Sequence, residues 1–249
     1  MQGIAVSDDI ALRQFEHDKA RYLEMGGRID SEKMRYDHGD NFATDFQYIF
    51  MDRWAMDKVL AQKPEMVYDF GSQLQFVSLL SAIIPVTHYD IRDPLLYLDN
   101  LKFCRADILH IPLPQDAGQR IDCVTCLHVA EHIGLGRYGD DIDPAGFTKA
   151  CSELARILSP GGNLFFSVPI GKAGTVFNVH RILDTLGVID AFPEIEMIEF
   201  SIINSNGQYR RNVDMHTPQF DTYGCGLFHF RKKGAQNNER EVVYHYTGL

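Results

Sequence analysis

The chain has 249 residues, 45% of them hydrophobic, enough to bury one sizeable core and a better fit to one large domain than to two small ones. Its formal charge of −10 and pI near 5.4 repel phosphate backbones and argue against a nucleic-acid partner. No run of about 18 apolar residues is present, so no membrane span is expected. The opening MQGIAVSDDIALRQFEHDKA is too polar and acidic for a secretory signal, and five cysteines, few and odd in number, suit a reducing compartment, so the expected location is cytoplasmic.

In chain order, residues 7–25 carry a broken helical pattern, and 26–44 read as loop or lid. Residues 45–62 predict an amphipathic helix with Phe46, Ile49, Phe50, Trp54, Met56 and Leu60 as its apolar positions. Short β-rich runs follow at 66–70, 86–90, 121–127 and 163–169, with helical patterns at 73–83 and 146–158 between them. In the second helix Phe147, Ala150, Cys151, Leu154, Ile157 and Leu158 share one face, and Pro160-Gly161-Gly162 stops it. Further strands are expected at 195–203 and 225–230, with no helix between them, so an antiparallel edge is predicted. The pattern is that of an α/β domain, a doubly wound and mostly parallel sheet covered on both faces. Three regions result: an N-terminal helical and lid segment over 1–62, the α/β core over 63–235, and a polar tail over 236–249.

Cys123 and Cys126 form a lone C-x-x-C within IDCVTCL. Residues three apart on a strand face opposite sides of a sheet, so these thiols are expected to be core residues and not a shared metal site.

In open α/β sheets ligands bind beyond the carboxyl ends of the strands. After the first strand comes Asp69-Phe70-Gly71-Ser72, where a glycine lets the main chain turn tightly. About 20 residues on stands Asp90, whose carboxylate can accept from both hydroxyls of a ribose. After a third strand near 103–106 come Asp107 and Ile108, an acid for an adenine amino group and an apolar cover for a ring face. Together these points describe a nucleoside pocket, and the absence of G-x-G-x-x-G weighs against a dinucleotide.

The stretches VYDFGS (67–72), HYDIR (88–92), ADILHIPLP (106–114), IDCVTCLHVAEHI (121–133) and LARILSPGGNLFFSVP (154–169) resemble class I methyltransferases that use S-adenosyl-L-methionine (SAM). The resemblance implies a Rossmann-like, seven-stranded sheet with SAM as cofactor. It implies Asp69, Gly71 and Ser72 at the methionine moiety, Asp90 at the ribose, Asp107 and Ile108 at the adenine, and His128 lining the cleft. The glycine motif departs from the family pattern, since Gly71 is followed by Ser-Gln-Leu-Gln. The longer pattern, with DIRDP, HIGLGRYGD, VFNVHRIL and YGCGLFHFRK, is similar to an uncharacterised methyltransferase-like branch that often accompanies bacterial surface-polysaccharide genes. That likeness implies O-methylation of a sugar, a glycan precursor or another small hydroxyl acceptor.

A hydroxyl acceptor needs a base, and histidine titrates nearest neutrality. His132 after the fourth strand and His180 after the fifth are the candidate catalytic bases. Arg137 and Arg181 are candidates to neutralise an acidic acceptor, the glycine-rich 134–141 reads as an active-site loop, and Tyr36, His38 and Tyr48 as residues able to close over the acceptor. Two rivals stay open. His128-x-x-Glu131-His132 spells the H-x-x-E-H zinc motif, although a strand runs straight into it and Gly134 and Gly136 follow it closely. The thin glycine motif also allows a non-catalytic or repurposed methyltransferase-like fold. No metal is assigned, and the oligomeric state is left open.

Overall fold

The computed structural model describes residues 12–25 (without 14, 18 and 22), 46–112, 120–192, 194–215 and 223–234. The chain divides into two compact units, Met1–Asp45 and Phe46–Leu249. In the first, the described residues are helical up to Glu24, and Lys19 pairs with Glu16 at 2.7 Å. The expected lid at 26–44, with Tyr36 and His38, and the tail at 236–249 lie outside the described residues.

The second unit opens with helix α1 (Phe46–Gln62). There follow β1 (Val67–Phe70), α2 (Leu74–Ser81), β2 (Val86–Asp90), β3 (Leu101–Arg105), a 3-10 turn at Ile108–His110, β4 (Cys123–Leu127) and a second 3-10 turn at Ala130–His132. Then come α3 (Gly146–Ile157), β5 (Asn163–Gly171), a small hairpin of β6 (Gly174–Val176) and β7 (His180–Ile182), α4 (Thr185–Asp190), β8 (Ile195–Asn204), β9 (Tyr209–Arg210) and β10 (Tyr223–Lys232).

The main sheet runs β3-β2-β1-β4-β5-β10-β8-β9. Pairs among β1 to β5 are parallel, and β10, β8 and β9 add an antiparallel edge. This is the doubly wound, mostly parallel sheet the alternation predicts; an eighth strand, the two-residue β9, joins seven longer ones. The apolar strand runs are buried on both faces, as a covered parallel sheet requires. One core contains α3 residues such as Phe147 and Leu154 with Val124, Cys126 and Phe166. The other contains Met51, Trp54 and Val59 of α1, Phe76 and Leu80 of α2, and Cys123, Leu127 and Phe165. Cys123 and Cys126 thus lie on opposite faces, each fully buried, as the period of two demands.

Helix α1 forms where expected but turns a different face inward. Met51, Trp54, Ala55 and Val59 are buried, while Phe46, Ile49 and Leu60 are exposed. The inward set has helical spacing i, i+3, i+4, i+8, and only Trp54 belongs to the stripe read from the sequence. The bulky residues flanking that face competed with it in the pattern.

Strand order reverses between β1 and β4, so their carboxyl ends diverge and leave a crevice at the sheet rim. The functional candidates gather there. Among the described residues, no helix is long and apolar enough to cross a membrane.

Candidate functional site

The crevice is a cleft of about 650 Å³, large enough for a nucleoside-sized ligand. Its walls come from the segments that follow four parallel strands. They are Phe70 and Gly71 after β1, Tyr89 to Asp93 after β2, Arg105 to His110 after β3, and His128, Val129, His132 to Gly134 and Tyr138 to Asp141 after β4.

Gly71 makes the first turn at φ 68°, and a Cβ there would stand 2.9 Å from Val129 Cγ1. Both the conformation and the contact demand glycine. Its neighbours Asp69 and Ser72 turn inward, away from the cleft. The Asp69 carboxylate is wholly buried and accepts from His88 Nδ1 at 2.7 Å, Thr125 Oγ1 at 2.5 Å and the Ser72 amide at 3.2 Å. The Ser72 hydroxyl accepts from the Leu127 amide at 3.1 Å, tying the turn to β4. The pleat explains this, since Asp69 lies within β1 on the face that also carries Val67, Thr125 and His88. Burial lowers the His88 pKa and Asp69 more than reverses it, so the imidazole titrates above its ordinary value. Asp69 and Ser72, assigned by resemblance to the methionine end, hold the turn from below.

Asp90 ends β2 and faces the cleft. Its Oδ1 accepts from the Arg92 amide at 2.8 Å and Nε at 3.0 Å, and Oδ2 accepts from the guanidinium at 2.8 Å. Burial pushes the carboxyl up, and Arg92 reverses the shift and holds it below the usual range. Asp107 caps the first 3-10 turn by accepting from the Leu109 amide at 2.9 Å, while Ile108 is buried. The Phe70 and Tyr89 rings stack at 4.8 Å along the same wall.

The segment after β4 is strained and polar. His128 has φ 56°, a left-handed conformation uncommon for a side chain larger than glycine. Its amide donates to the Ser167 carbonyl and hydroxyl at 2.9 and 3.0 Å. Its Nδ1 lies 2.7 Å from Glu131 Oε1, and its Nε2 lies 3.2 Å from both Cys225 Sγ and Gln47 Nε2. Burial lowers the His128 pKa, but Cys225 and Glu131 outweigh it and raise it well above the ordinary value. Glu131 is fully buried, and neither carboxylate oxygen has an aligned hydrogen bond.

His132 lines the cleft and donates from Nδ1 to the Val179 carbonyl at 2.7 Å. That bond assigns the lone pair to Nε2, which lies 3.7 Å from Glu131 Oε1. His180, on β7, is outside the cleft wall and has Tyr223 as ring neighbour at 6.1 Å. Burial lowers its pKa, so it is neutral at pH 7.

The loop over 134–143 is knotted, not slack. Asp140 accepts from the amides of Gly134 (2.7 Å), Gly136 (3.3 Å) and Tyr138 (3.1 Å). Arg181 is buried and donates to the carbonyls of Ile133 at 2.6 Å and Asp143 at 3.1 Å, which makes it a brace instead of an acceptor contact. Tyr138 stands under two guanidiniums, Arg92 at 4.8 Å and Arg137 at 5.1 Å. Arg92 and Tyr138 were not among the sequence candidates, and Glu131 entered only through the zinc motif; the signal for Arg92 was its place two residues after Asp90.

The zinc motif needs two histidines and a glutamate on one face of an α-helix. Here the segment is a strand end followed by a single 3-10 turn. Among the described residues no three His, Cys, Asp or Glu side chains converge as a metal-ligating group.

The architecture is the Rossmann-like methyltransferase fold. Several solved structures share it. N-methyltransferase NodS from Bradyrhizobium japonicum WM9, in complex with S-adenosyl-L-homocysteine, has a TM-score of 0.53 at 14% identity, with 78% of this chain and 93% of that one covered. A SAM-dependent methyltransferase from Clostridium acetobutylicum ATCC 824 has a TM-score of 0.52 at 10% identity, covering 77% and 94%. The [4+2]-cyclase SpnF has a TM-score of 0.54 at 14% identity, covering 84% and 90%. At such identities the likeness is one of fold. In sequence, residues 110–222 match the family described as "Caenorhabditis protein of unknown function, DUF268". None of the curated proteins matches.

Proposed function

We propose that this protein is a SAM-dependent methyltransferase acting on a small hydroxyl acceptor such as a sugar or glycan precursor. The observation that carries the reading is Asp90, a carboxylate at the end of β2 facing a nucleoside-sized cleft at the point where strand order reverses. The residues around it fit the cofactor's parts. Asp90 receives the ribose hydroxyls, Asp107 the adenine amino group, and Ile108 a face of the base. Gly71 lets the backbone approach the amino-acid end, and Asp69 and Ser72 fix that turn. When bound, SAM supplies an electrophilic methyl group on a sulfonium. The acidic side chains of the cleft wall, including Asp90, Asp107 and Asp141, favour such a cation.

The protein's own part is alignment and proton removal. His132 is proposed as the base, because its Nδ1 bond to Val179 leaves Nε2 free of a proton and the Glu131 carboxylate stabilises the imidazolium that forms. His180, neutral at pH 7 but off the cleft wall, is the second candidate. The hydroxyl acceptor is supported by these histidines and by the sequence resemblance.

The test is titration calorimetry with S-adenosylhomocysteine. A micromolar dissociation constant is expected, and Asp90→Ala should cost about 1.5–3 kcal/mol, the scale of charge-assisted hydrogen bonds. That is roughly 10- to 150-fold in affinity. Absence of binding heat in the unaltered protein would instead favour a repurposed fold. An unchanged constant in Asp90→Ala would remove Asp90 from the ribose.

A further inference from the structure

One group of side chains beside the cleft goes beyond that reading, which uses only its Glu131. Cys225 Sγ lies 3.2 Å from His128 Nε2, and His128 Nδ1 lies 2.7 Å from Glu131 Oε1. A thiol, an imidazole and a carboxylate therefore stand in line across β10, the end of β4 and the turn that follows it. The order matters. A carboxylate at Nδ1 fixes the proton there, so the Nε2 lone pair faces the thiol.

Burial without such a partner works against a thiolate. The three other buried cysteines show it: Cys123 is pushed up to about 12 by burial, and Cys126 and Cys151 are raised well above the ordinary value. Cys225 is as buried as these, yet it alone of the four has a histidine nitrogen at hydrogen-bond distance. Glu131 completes the array: it is fully buried with Oε1 2.7 Å from His128 Nδ1, and a buried carboxylate is costly unless a partner charge sits beside it.

We propose that Cys225, His128 and Glu131 form a nucleophilic thiol centre whose substrate class is a compact carbon electrophile. In the step, Cys225 Sγ forms a bond to the electrophilic carbon. The leaving group departs with the electron pair of its broken bond, and the thiol proton passes to His128 Nε2. Glu131 holds the resulting imidazolium. Of the three, His128 lines the cleft, and Cys225 and Glu131 lie buried behind it. The centre stands on geometry and is independent of which cofactor the cleft takes.

Other titratable groups face it. Asp52 of α1 acts on His128, Tyr223 of β10 acts with His128, Cys225 and Glu131, and His180 of β7 with His132 act around Glu131. Asp52 titrates near 6 and adds a negative charge above that pH, which favours the imidazolium over the neutral ring.

The test uses the intact chain and iodoacetamide, with alkylation of each cysteine followed by peptide mass spectrometry from pH 8 to 6.5. Cys104, which is only partly buried, is the internal reference. An ordinary thiol loses about 25-fold in rate over this interval as its thiolate fraction falls. Cys225 should change less than about threefold, and by less than Cys104 in the same sample. Glu131→Gln, checked by its thermal melt, should restore the steep dependence at Cys225 and leave Cys104 unaltered. The proposal is overturned if Cys225 in the unaltered protein follows the Cys104 curve, or stays unlabelled while Cys104 reacts. Because the unaltered protein decides this, a misfolded variant cannot mask the result.

Discussion

At the residue scale, Asp90 and Arg92 set a competition. A carboxylate offers about four lone-pair directions. Arg92 uses three of them through its amide, Nε and terminal nitrogen. A ribose diol brings two further donors, so one guanidinium contact must yield when it binds. The Arg92 side chain is 61% exposed, and exposed ion pairs of this kind contribute about 0–1 kcal/mol. Its loss therefore costs the fold little and frees Asp90. Arg92→Ala should tighten S-adenosylhomocysteine binding by roughly two- to fivefold in calorimetry at low salt. A weakened constant would show that Arg92 grips the ligand instead of competing with it. Asp90 itself was legible in the sequence, because an acid at the end of a second strand has a place in this topology. Its partner was not, because the bidentate contact depends on how the chain bends after β2.

At the element scale, the β1 turn links fold and site. Gly71 needs a positive φ, and a Cβ would press on Val129, which itself stands on the cleft wall. Gly71→Ala should lower stability by about 1–3 kcal/mol, the range for a strained left-handed residue. It should also weaken cofactor binding, because relief of the clash pushes Val129 toward the ligand. A denaturant midpoint equal to that of the unaltered protein would refute the conformational argument. The same turn shows what could be read in advance. Period and punctuation located β1, β2, β4, β5 and α3, because a covered parallel sheet writes continuous apolar runs broken by glycine and proline. The inward face of α1 escaped, since Phe46, Ile49 and Leu60 are as apolar as the residues that are buried. The hairpin β6–β7 escaped too, because its strands are three residues long and β6 is exposed. Asp69 and Ser72 could be placed in the turn but not oriented, because their direction depends on where the strand's pleat ends.

At the scale of the whole molecule, the protonation equilibria of Asp52 and His88 point the same way, and Asp52 allows the effect to be measured. Asp52 lies on α1, its Oδ1 has no hydrogen-bond partner, and burial and then Asp69 push its pKa from 3.8 to about 6. The folded state thus holds this proton more tightly than the unfolded chain. Stability from this group is undiminished below pH 3.8, falls as pH rises, and reaches its full penalty above pH 6. A shift of this size is worth up to about 3 kcal/mol, and solvent screening of a partly exposed group reduces it to about 1–2 kcal/mol. His88 acts in the same sense, because its raised pKa stabilises the fold below the ordinary histidine value and that gain is lost as pH rises through the folded-state pKa. His229 opposes both, since burial lowers its pKa to about 4 and the fold pays when it is protonated. The sum is hard to separate, but a single substitution isolates one contribution. Asp52→Asn removes the charge and keeps the shape, and it also relieves a molecule of net charge −10. It should raise the melting temperature by about 2–8 °C at pH 8, given roughly 2–4 °C per kcal/mol for a domain of this size. The gain should shrink through pH 6 to 4 and vanish below the ordinary carboxylate pKa. Melting curves of both proteins across that range decide the matter, because a gain that persists unchanged at pH 4 would come from packing and not from a buried charge.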